Sequence, residues 1–230
     1  MKRAFVWPLL ALNVALPAAS QTAAPTVVPV EQAPYHVPLF RNEHVIVLNV
    51  VIPPNRTSSY HRHTLDTIAV LIAGTDRTVQ VLGGELTTSS RPPRGTITFS
   101  QYSHQENVHT VTVTGSTSFH NVVVELLKPA ASGFTPSARG EGYEQILDNE
   151  RVRAWRLVLE PRQSAPAISQ GSAGIRVVID GGELVESVPG QPERGMAPRS
   201  GEVYWQEAGT TRAVRNIGMT RIELVELEFK

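Results

Sequence analysis

The two halves of this chain align with each other, and that duplication constrains the fold more than any other feature of the sequence. Asn42-Glu43-His44-Val45 matches Asn149-Glu150-Arg151-Val152, Pro54 matches Pro161, Gly74 matches Gly181 and Val81 matches Val188, all at an offset of 107 residues. Further along, Gly95 and Phe99 pair with Gly201 and Trp205, and Gly115 pairs with Gly218. Val124-Glu125-Leu126-Leu127 pairs with Val225-Glu226-Leu227-Glu228, the offset shrinking because the first half carries a few extra residues. Such a chain folds as two copies of one unit, each about 85 to 90 residues long.

Each copy is written in strands. Short runs rich in valine, isoleucine and threonine recur at 44–52, 67–74, 109–115, 121–127, 175–182 and 221–229, broken by Gly, Pro, Asn and Ser, with no long helical periodicity to compete. The fold class is all-β. A lone sheet of this kind leaves its edges and one apolar face uncovered; closure into a barrel, or packing of the two copies, removes both problems. The predicted organisation is a leader over 21–38, a first β-domain over 39–128, a linker over 129–142 (PAASGFTPSARGEG) and a second β-domain over 143–230.

The first twenty residues read differently. Lys2 and Arg3 precede an apolar run from Ala4 to about Leu16, followed by small residues at Ala18 and Ser20, which is the anatomy of a secretory signal peptide cut after Ser20. The run is too short for a stable membrane span, and no later segment is longer, so a soluble, periplasmic or secreted mature protein is expected, with no membrane partner. Lys2-Arg3 is not a twin-arginine pair, so the chain is expected to cross unfolded and to acquire any ion outside the cytoplasm. The chain has 21 Lys plus Arg against 21 Asp plus Glu, without the excess positive charge that attracts phosphate backbones, and nucleic acid is discounted as a partner. It has no cysteine, so any metal must be held by nitrogen and oxygen.

The stretch Tyr60-His61-Arg62-His63-Thr64-Leu65-Asp66 carries two of the seven histidines. Side chains two apart on a strand point to the same side, so His61 and His63 project together, as a chelating pair must. Asp66 has the wrong parity on an unbroken strand. A turn near Thr64-Leu65, before the strand that opens at Thr67, would let it point back. A third imidazole has to come from elsewhere in the chain. His109 is preferred because it opens the alternating run His109-Val111-Val113, whereas His104 lies in a loop-like segment and His120 precedes a continuous apolar strand. Tyr60, Phe99 and Tyr102 are candidate pocket residues, although aromatics near a β-core are more often packing.

The pattern of Pro53, His61-x-His63, Asp66, Gly74, Gly95 and His109 six residues before Gly115, within a duplicated β-domain, resembles the two motifs of the cupin superfamily. The resemblance spans nearly all of the chain after the signal. It implies two tandem jelly-roll barrels, a bicupin, in which two histidines and an acid from the first motif and one histidine from the second converge on a divalent transition metal. Two departures stand out: the family's usual acid is a glutamate slightly later than Asp66, and the asparagine often found four residues after the last histidine is Val113 here.

The second copy lacks the whole set. Ile168 and Gln170 stand opposite His61 and His63, Ala173 opposite Asp66 and Arg212 opposite His109. Loss of all the ligands together, with glycines and strands kept, makes the first copy the site and the second a scaffold or a metal-free pocket. Three histidines, with or without a carboxylate, leave coordination positions open, which is the arrangement of a catalytic site; Zn, Mn, Cu, Fe and Ni all suit it. The readings that follow are a metal-dependent enzyme, an oxygenase or a lyase/isomerase on a small molecule; a metal-containing binding or sensor module; and a structural cupin with vestigial histidines. An exposed sheet edge would also invite pairing with a second copy as a homodimer.

Overall fold

The computed structural model describes residues 24–89, 91–128 and 137–230. The signal peptide expected at 1–20 and most of the linker expected at 129–142 lie outside the described residues. The first half contributes β1 (Val27–Pro29), β2 (His36–Arg41), β3 (Val45–Ile52), β4 (Tyr60–His63), β5 (Thr67–Ala73), β6 (Arg77–Val81), β7 (Leu86–Ser89), β8 (Ile97–Ser100), β9 (Asn107–Val113) and β10 (Phe119–Leu126). The second contributes β11 (Tyr143–Asp148), β12 (Val152–Leu159), β13 (Ile168–Ser169), β14 (Gly174–Asp180), β15 (Leu184–Ser187), β16 (Arg194–Met196), β17 (Val203–Gln206), β18 (Thr211–Asn216) and β19 (Ile222–Phe229).

Each half is a pair of sheets. In the first, the order β1-β4-β9-β6-β7 faces the order β2-β3-β10-β5-β8; in the second, β13-β18-β15-β16 faces β11-β12-β19-β14-β17. The chain is thus all-β, two tandem jelly-roll barrels. Of the residues read as a leader, 27–29 and 36–38 lie in strands of the first barrel. β1 adds to β4 in parallel, with Val28 opposite His61, and β2 adds to β3 with His36 opposite Val50.

The strand registers define which residues of the two copies correspond. His61 sits opposite His109 across β4 and β9, and Ile168 sits opposite Arg212 across β13 and β18. One pairing needs correction. Leu126 lies opposite Val45 and Phe229 opposite Val152, so Val124-Glu125-Leu126 corresponds to Leu227-Glu228-Phe229, not to Val225-Glu226-Leu227. The slip is of two residues, and a strand's period of two makes such a slip invisible to sequence pattern, because every side chain keeps its face.

Alternation along the strands sorts the apolar residues into three cores. Ile46, Leu48, Val50 and Ile52 of β3 point into the first barrel with Val111, Val113 and Val123. Leu157, Leu159, Leu184, Val214, Ile222 and Leu224 fill part of the second. The opposite faces of the same strands, including Val45, Val47, Val122, Val124, Val152, Ile175, Val225 and Leu227, meet in a third core between the barrels. Each fully buried aliphatic side chain there contributes about 1.5–3 kcal/mol, which favours one unit over two tethered domains. The contact is reciprocal. Gly201, at φ +87°, lies where a Cβ would come 2.5 Å from His120 Cε1, and its counterpart Gly95, at φ +73°, would meet Glu223, the counterpart of His120, at 2.9 Å.

Candidate metal centre

β4 and β9 are neighbours, and their register sets the site. His61 faces His109 directly, and His63 follows two residues on from the same face. The ring centroids lie 4.4 Å apart for His61 and His109, and 5.2 Å apart for His63 with either. One ligand nitrogen from each lies within 4.8 Å of the others, close enough for small side-chain rotations to bring all three onto one ion with bonds of about 2.1 Å.

The outer nitrogens are already committed. His61 Nδ1 donates to the Ser59 carbonyl at 2.9 Å, and His63 Nδ1 donates to the Glu125 carboxylate at 2.7 Å. A carbonyl or carboxylate only accepts, so in both rings the proton is on Nδ1 and Nε2 offers its lone pair. His109 Nδ1 lies 2.9 Å from the Asn107 amide, which is also 3.1 Å from the Tyr102 hydroxyl. The amide nitrogen is the atom placed there, donating to the Tyr102 hydroxyl and facing His109 Nδ1; exchanging the amide's O and N would make the oxygen accept from both and leave the His109 Nε2 lone pair for an ion. Burial, together with the neighbouring imidazoles, pushes His61 down to about 2 and His109 down to about 4. Both are neutral near pH 7, the form that ligates. The donor set therefore fits a divalent transition metal.

Residues that sequence reasoning missed complete the surroundings. His36, from β2, packs its ring 4.5 Å from that of His61 and donates Nδ1 to the Pro34 carbonyl at 2.9 Å. It is a fourth imidazole with Nε2 uncommitted by that bond. Glu125 is 3% exposed and also accepts from Thr67 Oγ1 at 3.3 Å. A carboxylate in the apolar run Val122-Val123-Val124-Glu125-Leu126 is itself a signal, since a buried charge needs a partner.

Asp66, expected as a fourth ligand, is turned elsewhere. Its carboxylate accepts from the Ser103 backbone N–H at 3.1 Å and hydroxyl at 2.5 Å, and forms an ion pair with Arg151 of the second half. Burial pushes its carboxyl up, but Ser103 and Arg151 outweigh this and hold it below the ordinary aspartate value. The turn between β4 and β5 does redirect Asp66, toward the other barrel. His120 Nε2 donates to Asn49 Oδ1 at 2.7 Å in the inter-barrel contact, and His104 is exposed on a loop. Of the three candidate pocket aromatics, only Tyr102 lines the cavity. Tyr60 alternates with His61 and donates its hydroxyl to Gln80, and Phe99 packs in the core between the barrels.

The cavity beside the imidazoles has a volume of about 310 Å³. Its wall mixes valine, isoleucine, alanine and Phe119 with the polar groups of His36, Arg77, Tyr102, Asn107 and Asn121 and the hydroxyls of Thr67, Thr98 and Ser100. The corresponding interior of the second barrel is full of charge. By register, Arg176 replaces Ala69, Glu226 replaces Val123, Glu186 replaces Val79 and Tyr143 replaces His36. Arg176 bonds Glu226 at 3.0 Å and Glu186 at 2.8 Å, and Arg212 bonds Gln170 at 3.0 Å and Glu226 at 3.3 Å. Arg139, from the end of the linker, pairs with Glu226 and lies over the Trp155 ring. Burial pushes Glu226 up, yet the three arginines hold it at about 2. Guanidinium groups offer no lone pair, so this barrel does not fit a metal.

No protein-family model matches the sequence, and no curated protein matches it. Among solved structures, AerE from Microcystis aeruginosa aligns with a TM-score of 0.61 and 12% identity over 86% of this chain and 98% of its own. Salicylate 1,2-dioxygenase from Pseudaminobacter salicylatoxidans aligns at 0.54 and 10% over 80% and 71%. Bacillus subtilis oxalate decarboxylase, with its Mn(II) centres, aligns at 0.56 and 13% over 81% and 69%. The fold is that of the cupins.

Proposed function

We propose that this cupin-fold protein is an exported metal-dependent enzyme, an oxygenase or a lyase/isomerase, acting on a small organic molecule. The observation that carries the reading is the convergence of three imidazoles, with Nδ1 of His61 and His63 committed to protein acceptors, beside a cavity of about 310 Å³. A divalent ion with open positions would supply Lewis-acid or redox chemistry there. The chain's own residues do the rest. Glu125 and Ser59 orient two rings, Asn107 links the third to Tyr102, and the aliphatic wall excludes water and strengthens polar interactions inside. The solved neighbours include a dioxygenase and a decarboxylase, which supports the chemistry without fixing it. Export rests on the N-terminal signal, and Zn, Mn, Cu, Fe and Ni are all accommodated by imidazole.

A metal-containing binding or sensor module is the second reading, favoured by the second barrel, whose described interior holds arginine and glutamate where the first holds imidazoles. Metal analysis of purified protein, with His61→Ala and His109→Ala beside it, tests the ion: metal uptake unchanged in both variants sinks the site. Assay against aromatic diols, diketones and uronates then separates the two readings. Turnover that depends on His61 supports the enzyme, and metal-loaded protein that turns over nothing supports the module. Cell fractionation tests export.

A further inference from the structure

One row of the cavity wall is short of hydrogen-bond partners. His36 of β2 and Asn121 of β10 are both paired with Val50 of β3, one from each side, so the three share an inward face, and all of them line the cavity. Two strand spacings, roughly 10 Å, separate the two polar residues. His36 is buried, and its Nδ1 donates to the Pro34 carbonyl. Burial holds the ring below its ordinary value and so neutral near pH 7; Nε2 therefore carries a lone pair, and no group among the described residues donates to it. Nor does His36 join the nitrogens that converge within 4.8 Å of one another, which belong to His61, His63 and His109. Asn121 Oδ1 is buried with no hydrogen-bond partner. Buried polar groups are almost always satisfied, so two unfilled acceptors on one cavity wall mark a place where a ligand supplies the donors.

We infer that the cavity takes a neutral molecule bearing two or more hydroxyls, one donating to His36 Nε2 and another to Asn121 Oδ1, beside the three imidazoles. This rests on the metal-site reading for the chemistry the molecule meets and deepens it by naming the substrate class. A carboxylate or a ketone brings only lone pairs to those two atoms and satisfies neither. An ammonium group would donate, but the described lining holds no Asp or Glu to balance its charge and does hold the like charge of Arg77. A hydroxyl donates without charge. Sites built to bond a hydroxyl reject analogues that lack it far more strongly than apolar pockets discriminate by size. The volume of about 310 Å³ sits at the small end of ligand pockets, which limits the molecule to the size of a single substituted ring.

The test is calorimetric titration of the full chain under argon, metal-free and Co(II)-loaded, with two matched pairs: cyclohexane-1,4-diol beside cyclohexane-1,4-dione, and hydroquinone beside 1,4-difluorobenzene. The expected result is that in at least one pair the dihydroxy compound binds roughly tenfold or more tighter than its analogue, and that His36→Phe and Asn121→Leu each remove most of that gap. The pair that shows the gap tells an alicyclic diol from an aromatic one. Co(II) affinity, read separately, stays near that of the parent in both variants. Circular dichroism checks that they fold, and Asn121→Leu carries the test if His36→Phe does not. No saturable binding of either diol, equal binding within both pairs, or a gap untouched in either variant that folds overturns the inference. So does Co(II) affinity weakened roughly tenfold or more in folded His36→Phe with the hydroxyl preference retained, which would make His36 a ligand of the ion. Failure of the metal reading shows differently, as absent Co(II) uptake by the parent with the diol preference intact in the metal-free chain.

Discussion

Glu125 is the residue whose removal tests the site most directly. It never reaches the ion position, yet its carboxylate accepts the His63 Nδ1 proton at 2.7 Å between two groups that are almost fully buried. Partners of this kind fix the tautomer and raise ligand basicity, and losing one costs about 10–100-fold in metal affinity, or about 1.4–2.8 kcal/mol. Glu125→Gln keeps an oxygen toward Nδ1 and loses only the charge, which places it near tenfold. Glu125→Leu removes the acceptor altogether. It leaves the His63 N–H orphaned, frees the ring to turn, and adds an apo-state cost of about 1–3 kcal/mol. Zn(II) affinity measured by competition with a chelator, and stability by urea denaturation, give the two quantities. The graded order wild type, Gln, Leu is the expected outcome. If folded Glu125→Leu binds zinc within twofold of wild type, the argument from His63 orientation is wrong.

Other outcomes follow from the same geometry. Arg151→Met strips Asp66 of its ion-pair partner across the barrels and should cost about 3 kcal/mol in urea denaturation, partly recovered by adding Asp66→Asn. Glu226→Gln leaves Arg139, Arg176 and Arg212 facing a neutral group and should cost about 3–5 kcal/mol while leaving metal affinity unchanged, a separation that paired melting and chelator titrations would read. The lowered values of His61 and His109 make the metal-free chain acid-sensitive. Below the unfolded value of about 6.5 the unfolded rings bind protons that the folded ones refuse, so stability is full above that pH. It falls as the pH drops toward about 4, by about 1 kcal/mol per unit for each ring, and denaturation midpoints against pH measure it.

The sequence made the duplication, the strands and three imidazoles legible because each rests on a period. His61, His63 and His109 share a face by parity alone, and the registers of β4 and β9 place them together. What escaped depends on partners that periodicity does not name. Asp66 was steered toward the histidines by a turn, but Ser103 and Arg151, distant in the chain, fill its lone pairs. His36 was passed over because the repeat begins at Asn42 and everything before it read as leader, although β2 is a full edge strand. Tyr60 and Phe99 failed on a parity that the sequence did contain, since each alternates out of the cavity. Charged residues inside apolar runs, Glu125, Arg176 and Glu226, were the unread signal for both interiors.

The core between the barrels has a thermodynamic consequence. Because β3, β5 and β10 share their outer faces with β12, β14 and β19, neither half can open without exposing the other's apolar face. The protein should unfold in one step. An occupant of the first barrel that binds only the native chain then protects the whole chain by mass action. Slowed amide exchange in β19, which carries no ligand and faces no metal, would register an ion bound in the neighbouring barrel, so the silent copy serves as a reporter for the other.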